Sequence, residues 1–325
     1  MPIHVDELYR RTRDVALAAR HPLLVAHRRP DGDTLGAMLA FGRWLERQGK
    51  VHTRFCVDGV PAAYRFMPGA DQVIADQERV KEIAPDAVFF FDAADLKMTG
   101  VEELLAALPD AKIVNVDHHV TNAAFGHLNL IVTDASSTAE VVHRFHEAVG
   151  ESVDRATATC LLTGLCTDTS HFSNPATTAQ ALHVGSALLS RGAKLGDVMT
   201  HIFHNKSVAV LKLWGVALSR LTVNRTWGIA TTALTRADYA EAGVGEDEST
   251  EGISNFLNAV LDVPTVLVLK EGKDGTVRGS LRTTGERDVA KLAAHFGGGG
   301  HKKAAGFAVP GKLVEQDGHW RVVAV

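Results

Sequence analysis

The stretch HPLLVAHRRPDGD, residues 21–33, decides the fold class. Its first half is a short apolar run opened by proline, the pattern of a buried strand. The run ends on His27, and Asp31 and Asp33 follow across a Pro-Asp-Gly turn. Leu35, Met38, Leu39, Trp44 and Leu45 then recur at helical spacing until Gly49 stops the helix. Three more short β-rich runs, VHTRFCV (51–57), DAVFFFD (86–92) and AKIVNVD (111–117), each lead into a polar turn or a helix. This alternation predicts a parallel sheet built from βαβ units. Ligands of such sheets bind beyond the carboxyl ends of the strands. His27, Asp31 and Asp33 fall there.

A chain of 325 residues exceeds one typical domain, and 46% hydrophobic with 22% charged residues is an ordinary globular composition. No Pro-, Ser- or Gln-rich tract suggests disorder. The N-terminus, MPIHVDELYRRTRDVALAAR, reads as an amphipathic helix rather than a signal peptide, and nowhere do 18 uninterrupted apolar residues occur. The expectation is a soluble cytoplasmic protein. Cys56, Cys160 and Cys166 form an odd set without CxxC spacing, which argues against a disulfide framework or a zinc site and for reduced core residues. A net charge of −4 is too small to imply a polyanion-binding surface. Acids outnumber bases before residue 206, which suits cations, and bases slightly outnumber acids after it, which suits anions.

Beyond the sheet, Ser136-Ser137-Thr138-Ala139-Glu140 marks the start of a helix through Ala148. A largely helical stretch, residues 185–212, is broken by Gly192 and Gly196, and the interdomain connection is placed there. After it the pattern changes to strand pairs. One pair turns at Asn224-Arg225, a second at Asp274-Gly275, and the last strands, near GFAV and HWRVVAV, flank Asp317-Gly318.

Four positions concentrate chemistry. The first is the His27, Asp31 and Asp33 group, a hard, oxygen-rich donor set suited to Mn2+ or Mg2+, whose acids would equally serve as helix caps. Asp92 closes the strand VFFF, as a ligand or a turn residue. Asp117-His118-His119 closes IVNV, as ligands or a solvated turn. Asp168 follows the small-residue helix TATCLLTGLC, as a ligand or part of a polar helix end. Four element ends in one α/β unit can converge on one crevice. His27, Asp31, Asp33, Asp92, His118 and Asp168 together make six hard ligands, enough for two divalent ions.

These four motifs resemble the DHH phosphoesterase superfamily, named for the Asp-His-His triplet that stands here at 117–119, over most of residues 20–180. The run GGGGHKKAAG, residues 297–306, is similar to the glycine-rich signature of the DHHA1 substrate-binding domain. The segments NVDHHVTNAAFG and SSTAEVV, with the DHH part preceding the DHHA1 part, look most like the NrnA-type oligoribonucleases, nanoRNases that are also 3′-phosphoadenosine-5′-phosphate (pAp) phosphatases. The same branch includes cyclic dinucleotide phosphodiesterases. The resemblance implies that His27, Asp31 and Asp92 hold one Mn2+, and Asp33, Asp92, His118 and Asp168 the other, with Asp92 shared. It implies that His119 contacts the scissile phosphate or assists proton transfer, and that Asp117 orients a ligand histidine. Ser280, Arg282, the glycines Gly298, Gly299 and Gly300, and His301 would bind the substrate, with Arg278 a weaker candidate and Lys302 and Lys303 in a solvated turn. His171 and the segment Phe172-Ser173-Asn174 depart from the pattern, which bears on substrate preference.

The fold expected is α/β: a parallel-sheet DHH domain at 1–188, a helical linker at 189–206 and a smaller α/β DHHA1 domain at 207–325, with the active site in the cleft between the domains. The expected activity is hydrolysis of short oligoribonucleotides to mononucleotides, of pAp to AMP, or both. Few aromatics, Phe172 and Phe256 among them, are available to stack bases, which suits short substrates. The alternatives are a cyclic di-AMP or linear dinucleotide (pApA) phosphodiesterase and a non-catalytic nucleotide sensor. A family II inorganic pyrophosphatase should lack the GGGGH run. The cofactors expected are two divalent cations, Mn2+ with Mg2+ as the alternative, and no membrane partner is expected. A homodimer is left open.

Overall fold

Strand β1 (Pro22–Ala26) is buried along its whole length, and so is β4 (Ala87–Phe91) beside it. Between them in the chain run α2 (Gly32–Arg47), β2 (Thr53–Phe55), β3 (Val73–Ile74) and α3 (Gln77–Ile83); after them come α4 (Glu102–Ala106), β5 (Lys112–Asp117) and β6 (Leu128–Ile131). The computed structural model describes residues 4–202, 207–245, 252–316 and 318–324. The six strands form one sheet in the order β3-β2-β1-β4-β5-β6, and every pairing is parallel. Successive side chains point to opposite faces, so Leu24, Ala26, Phe89 and Phe91 enter one core while Leu23, Val25, Val88 and Phe90 enter another. The first core takes α1 (Val5–Ala18), α2, α5 (Thr138–Ala148) and α6 (Arg155–Asp168), and the second takes Val80 of α3 and Leu104 of α4. Burial on both faces is the reason these runs are continuously apolar.

The strand order reverses between β1 and β4, and a reversal of this kind opens a crevice at the carboxyl ends. Two helices close on that crevice because glycine lets them. A Cβ on Gly36 of α2 would stand 2.4 Å from the Cys160 carbonyl oxygen of α6, and one on Gly164 would stand 2.7 Å from Asp33 Oδ1. The resulting antiparallel contact sets the start of α2, with Asp31 and Asp33, beside the end of α6, with Asp168.

The segment expected to join the domains contains α8 (Leu195–Ile202), which follows α7 (Ala179–Ser190), and Val198 of α8 is buried in the first core. Gly192 (φ +94°) breaks the helical path as expected. Gly196 does not: it lies in the first turn of α8, where its missing side chain would have met nothing. Residues 1–205 form one compact unit and 206–325 a second.

In the second unit α9 (Val208–Ser219) precedes β7 (Thr222–Asn224), β8 (Ile229–Leu234), α10 (Arg236–Ala242), α11 (Ile253–Val260), β9 (Thr265–Glu271) and β10 (Thr276–Thr283). Then come α12 (Val289–Ala294), β11 (Gly299–His301) and β12 (Ala304–Pro310). The mixed sheet runs β11-β12-β10-β9-β8-β7, with only β8 and β9 parallel. Leu213 and Leu257 pack on one face, and Leu313 of a separate hairpin, β13 (Lys312–Gln316) with β14 (His319–Val323), packs on the other. Of that hairpin's expected turn, Asp317 lies outside the described residues. The protein is thus α/β throughout, parallel in the first unit and mixed in the second. Among the described residues no helix is long and apolar enough to cross a membrane. All three cysteines are buried and unpaired, as expected, and burial pushes the Cys56 thiol up to about 11.

Candidate active site

Each acidic or imidazole group is delivered by an element end. His27 follows β1, Asp31 caps α2 and Asp33 lies in its first turn. Asp92 follows β4 with a left-handed backbone (φ +59°), and Asp117 is the last residue of β5. Asp168 is the last residue of α6. Three overlapping groups of donor atoms result, each with all atoms within 4.8 Å: His27, Asp31 and Asp92; Asp33, His118 and Asp168; Asp92, Asp117, His118 and His119. All six expected metal ligands, with Asp117 and His119, therefore meet in one crevice of the first unit.

Asp92 is the centre, only 4% exposed. Its oxygens stand 3.5 Å from His27 Nε2, 3.6 Å from His118 Nε2 and 3.5 Å from His119 Nδ1. The Thr138 hydroxyl donates to Asp92 Oδ1 at 3.0 Å. The alternative considered for Asp31, a helix cap, also holds: its Oδ1 accepts the Asp33 and Thr34 amides while lying 3.8 Å from His27 Nε2. Asp33, fully buried, accepts the Thr138 amide at 2.6 Å and the Ala139 amide at 2.8 Å, at the start of α5. Helix N-termini favour negative charge, which holds this carboxylate in place.

The donor set fits divalent cations. His27 Nδ1 bonds the Arg28 carbonyl at 2.8 Å and His118 Nδ1 bonds the Ala135 carbonyl at 3.3 Å. A carbonyl only accepts, so both rings donate from Nδ1 and turn Nε2, the atom that would ligate an ion, inward. His118 Nε2 is buried, and Asp168 Oδ2 faces it at 3.2 Å. Facing carboxylate oxygens, Nε2 needs positive charge between them: a proton in the metal-free chain, or a bound cation in its place.

Burial works against charge on all these groups, and the neighbours decide each outcome. Asp31 and Asp33 are pushed up, by burial first and then by the charges of Asp92 and Asp168. Asp168 is pushed up by burial and by Asp92, against its bond with His118. Asp92 goes down to about 2, because the bond from His27 and the charges of His118 and His119 outweigh burial. His27 is held up at about 9 and His118 at about 10: burial opposes both, and their bonds to Asp92 and Asp168 with the surrounding carboxylates prevail. Four carboxylates crowded together, Asp33 and Asp92 of them buried, make a site that a cation relieves.

Asp117, expected to orient a ligand histidine, accepts the His118 backbone amide and pairs its Oδ1 with His119 Nδ1, both at 2.8 Å. The ring it orients is that of His119. Sequence reasoning missed Thr138, Asn122 and Asn174. Asn122 donates to Asp117, and Asn174 donates to the Asp168 carbonyl at 2.7 Å. Thr138 carried a signal as the first residue after the Ser137 cap, but nothing local pointed to Asp92 as its partner. His171 stands in a left-handed run, Ser170 (φ +46°), His171 (φ +59°) and Phe172 (φ +61°), that follows Asp168 closely.

In the second unit Ser280 and Arg282 share a face of β10. Ser280 pairs with Gly306 of β12, which pairs with Gly299; Arg282 pairs with Ala304, which pairs with His301. The register thus assembles two rows across three strands. The side chain of His301 lies outside the described residues. Arg282 Nε bonds Asn255 Oδ1 at 2.7 Å, and Arg278 is tied to Asp274. Gly298 and Gly300 are required by packing: a Cβ would stand 2.1 Å from the Gly306 carbonyl oxygen or 2.6 Å from that of Ala304. Gly299 is open. Lys302 pairs with Glu286 at 3.6 Å, and Lys303 bonds the Gly285 carbonyl. Phe172 packs against the first core, and Phe256 lies 5.6 Å from Trp214.

Comparison with known proteins agrees with this layout. Residues 22–165 match the DHH family, N-terminal domain, and residues 237–317 match the DHHA1 domain. The chain is 29% identical over 313 residues to the bifunctional oligoribonuclease and PAP phosphatase NrnA of Thermus thermophilus, covering 95% of this chain and 91% of that protein. An exopolyphosphatase-related protein from Bacteroides fragilis superimposes with a TM-score of 0.89 at 25% identity, over 96% of this chain and 94% of the other. RecJ of Thermus thermophilus, solved in complex with Mn2+, shares the fold with a TM-score of 0.54 at 15% identity, over 95% of this chain and 52% of RecJ. With both domains matched in order and the Asp-His-His triplet at the head of the crevice, the chain belongs to the DHH/DHHA1 superfamily of phosphoesterases.

Proposed function

We propose that this protein is a two-metal phosphoesterase that hydrolyses short oligoribonucleotides to mononucleotides and pAp to AMP. The observation that carries the reading is Asp92, buried and common to two of the donor groups. His27, Asp31 and Asp92 would hold one ion, and Asp33, His118, Asp168 and Asp92 the other. Mn2+ is preferred to Mg2+ for the imidazoles among the donors, and it is the ion held by RecJ, whose fold is shared. Two such ions supply positive charge to the phosphoryl oxygens and activate water.

The rest is the chain's own work. His119 is the proton donor to the leaving oxygen: burial disfavours its charge, but the bond to Asp117 and the charge of Asp92 raise it above the ordinary imidazole range. Asp117 holds that ring in one orientation. Arg282 and Ser280 bind the substrate phosphate or terminal nucleotide with His301 and the Gly298, Gly299 and Gly300 backbone, the guanidinium offering a planar fork to phosphate oxygens. In domain terms, the chemistry belongs to 1–188 and substrate binding to 207–325. The nucleotide substrates are those named for the Thermus thermophilus relative.

A substrate panel tests this. Short RNA, pAp, pApA, cyclic di-AMP and a small generic phosphodiester are each incubated with Mn2+ or Mg2+, and the products are resolved over time. Short RNA and pAp should give mononucleotides with the highest kcat/KM, and His301→Ala should impair both far more than the generic diester. A preference for cyclic di-AMP or pApA would move the assignment to a dinucleotide phosphodiesterase. Binding without turnover of any of them would make the protein a sensor.

A further inference from the structure

Asn122 lies outside the donor groups, yet its amide touches two elements that deliver them. Its Nδ2 donates to Asp117 Oδ2 and, at 3.1 Å, to the Ala93 carbonyl. Its Oδ1 accepts the Ala124 amide at 2.7 Å and Asn115 Nδ2 at 3.2 Å. Asn115, fully buried on β5, donates to the same Ala93 carbonyl at 3.2 Å. An amide offers two donors and two acceptor sites, and these contacts engage both ends of it, so it has one orientation.

What it grips matters on both sides. Asp117 Oδ1 bonds His119 Nδ1, so a hold on Oδ2 sets the carboxylate plane and with it the ring. Ala93 follows Asp92, whose left-handed backbone persists only where the surroundings over-determine it. The Ala123 amide adds a bond to the Ala94 carbonyl at 2.8 Å. We propose that Asn122 is a positioning residue that fixes His119 and Asp92 relative to one another before substrate arrives. This rests on the phosphoesterase reading of the site. A turn role alone accounts for Oδ1, whose bond to the amide two residues on is an Asx-turn, but leaves the two Nδ2 bonds without a purpose.

Asn122→Asp separates the two, since aspartate keeps the Asx-turn acceptor and loses the donor. The full chain carrying Asn122→Asp or Asn122→Ala is compared with wild type in three measurements: kcat and KM on pAp with Mn2+, Mn2+ affinity by calorimetry, and ring 15N shifts of His119 in metal-free protein. Loss of a partner that orients a ligand or catalytic side chain typically costs about 10–100-fold. Both variants should fall by that factor in kcat with KM little changed, and, at a pH high enough to leave His119 neutral, its shifts should show mixed tautomers where wild type shows one. Wild-type kcat and unmixed His119 shifts in Asn122→Asp would overturn the proposal. Loss of the cooperative thermal transition in both variants would overturn it too, by assigning the amide to folding. A wild-type protein that hydrolyses no phosphate ester would refute the phosphoesterase reading, while the His119 shifts would still report on positioning.

Discussion

Asp31 serves the fold and the site with one carboxylate. Its Oδ1 caps α2 through the Asp33 and Thr34 amides, and its group lies among Asp92 and His27. The sequence offered cap and ligand as alternatives. A carboxylate has about four lone-pair positions, so both hold at once. Asparagine caps as well as aspartate, whereas alanine costs about 1 kcal/mol. In EDTA, then, Asp31→Asn should be at least as stable as wild type, because it sheds a charge that burial and the neighbouring carboxylates disfavour, and Asp31→Ala should be less stable. Adding Mn2+ should stabilise wild type more than either variant in urea denaturation, because the variants keep only the ligands of the other ion. Equal stabilisation of Asp31→Asn by Mn2+ would remove Asp31 from the ligands. The donor types were legible because the residues at 27, 31, 33, 92, 118 and 168 end recognisable elements. The bonds of Asp33 to Thr138 and Ala139 were not, since they join positions more than a hundred residues apart.

Element by element, local chemistry was readable and pairing was not. Ser137 starts α5, Gly49 lies just past α2 with φ +70°, and Gly275 turns the β9–β10 hairpin with φ +73°. Each follows from one residue's backbone preference. The order β3-β2-β1-β4-β5-β6 depends on which strands meet across intervening helices, and no local signal carries it. The glycine run expected to bind the substrate also forms the edge strand β11, where Gly298 and Gly300 admit the backbone of β12. Within α5, His146 is fully buried, and burial with the charges of Arg47 and His143 drops it to about 3. The unfolded chain protonates this histidine near pH 6.5 and the folded chain does not, so its contribution to stability is complete above that value and is lost as pH falls toward 3. The slope reaches at most about 1.4 kcal/mol per pH unit. His146→Leu should flatten the decline of stability between pH 6.5 and 4 by up to that amount, read from urea midpoints. Parallel curves for the two proteins would show that His146 titrates alike in both states.

At the scale of the molecule, the reversal of strand order between β1 and β4 places His27 beside Asp92, and the glycine-lined contact of α2 with α6 brings Asp33 to Asp168. Six residues spread over some 140 positions thereby become one centre around one carboxylate. The most direct test is the number of Mn2+ ions bound per chain in wild type and in Asp92→Asn, with pAp hydrolysis followed in the same samples. Asparagine tolerates the left-handed backbone at 92, so the variant keeps the fold while losing the shared charge. Metal-ion stabilisation of a transition state is worth several kcal/mol, and each ~1.36 kcal/mol is tenfold in rate. The account predicts two ions per wild-type chain and Mn2+-dependent conversion of pAp to AMP, with Asp92→Asn losing metal and slowing by about 1,000-fold or more. Hydrolysis at the wild-type rate by metal-verified Asp92→Asn would contradict it.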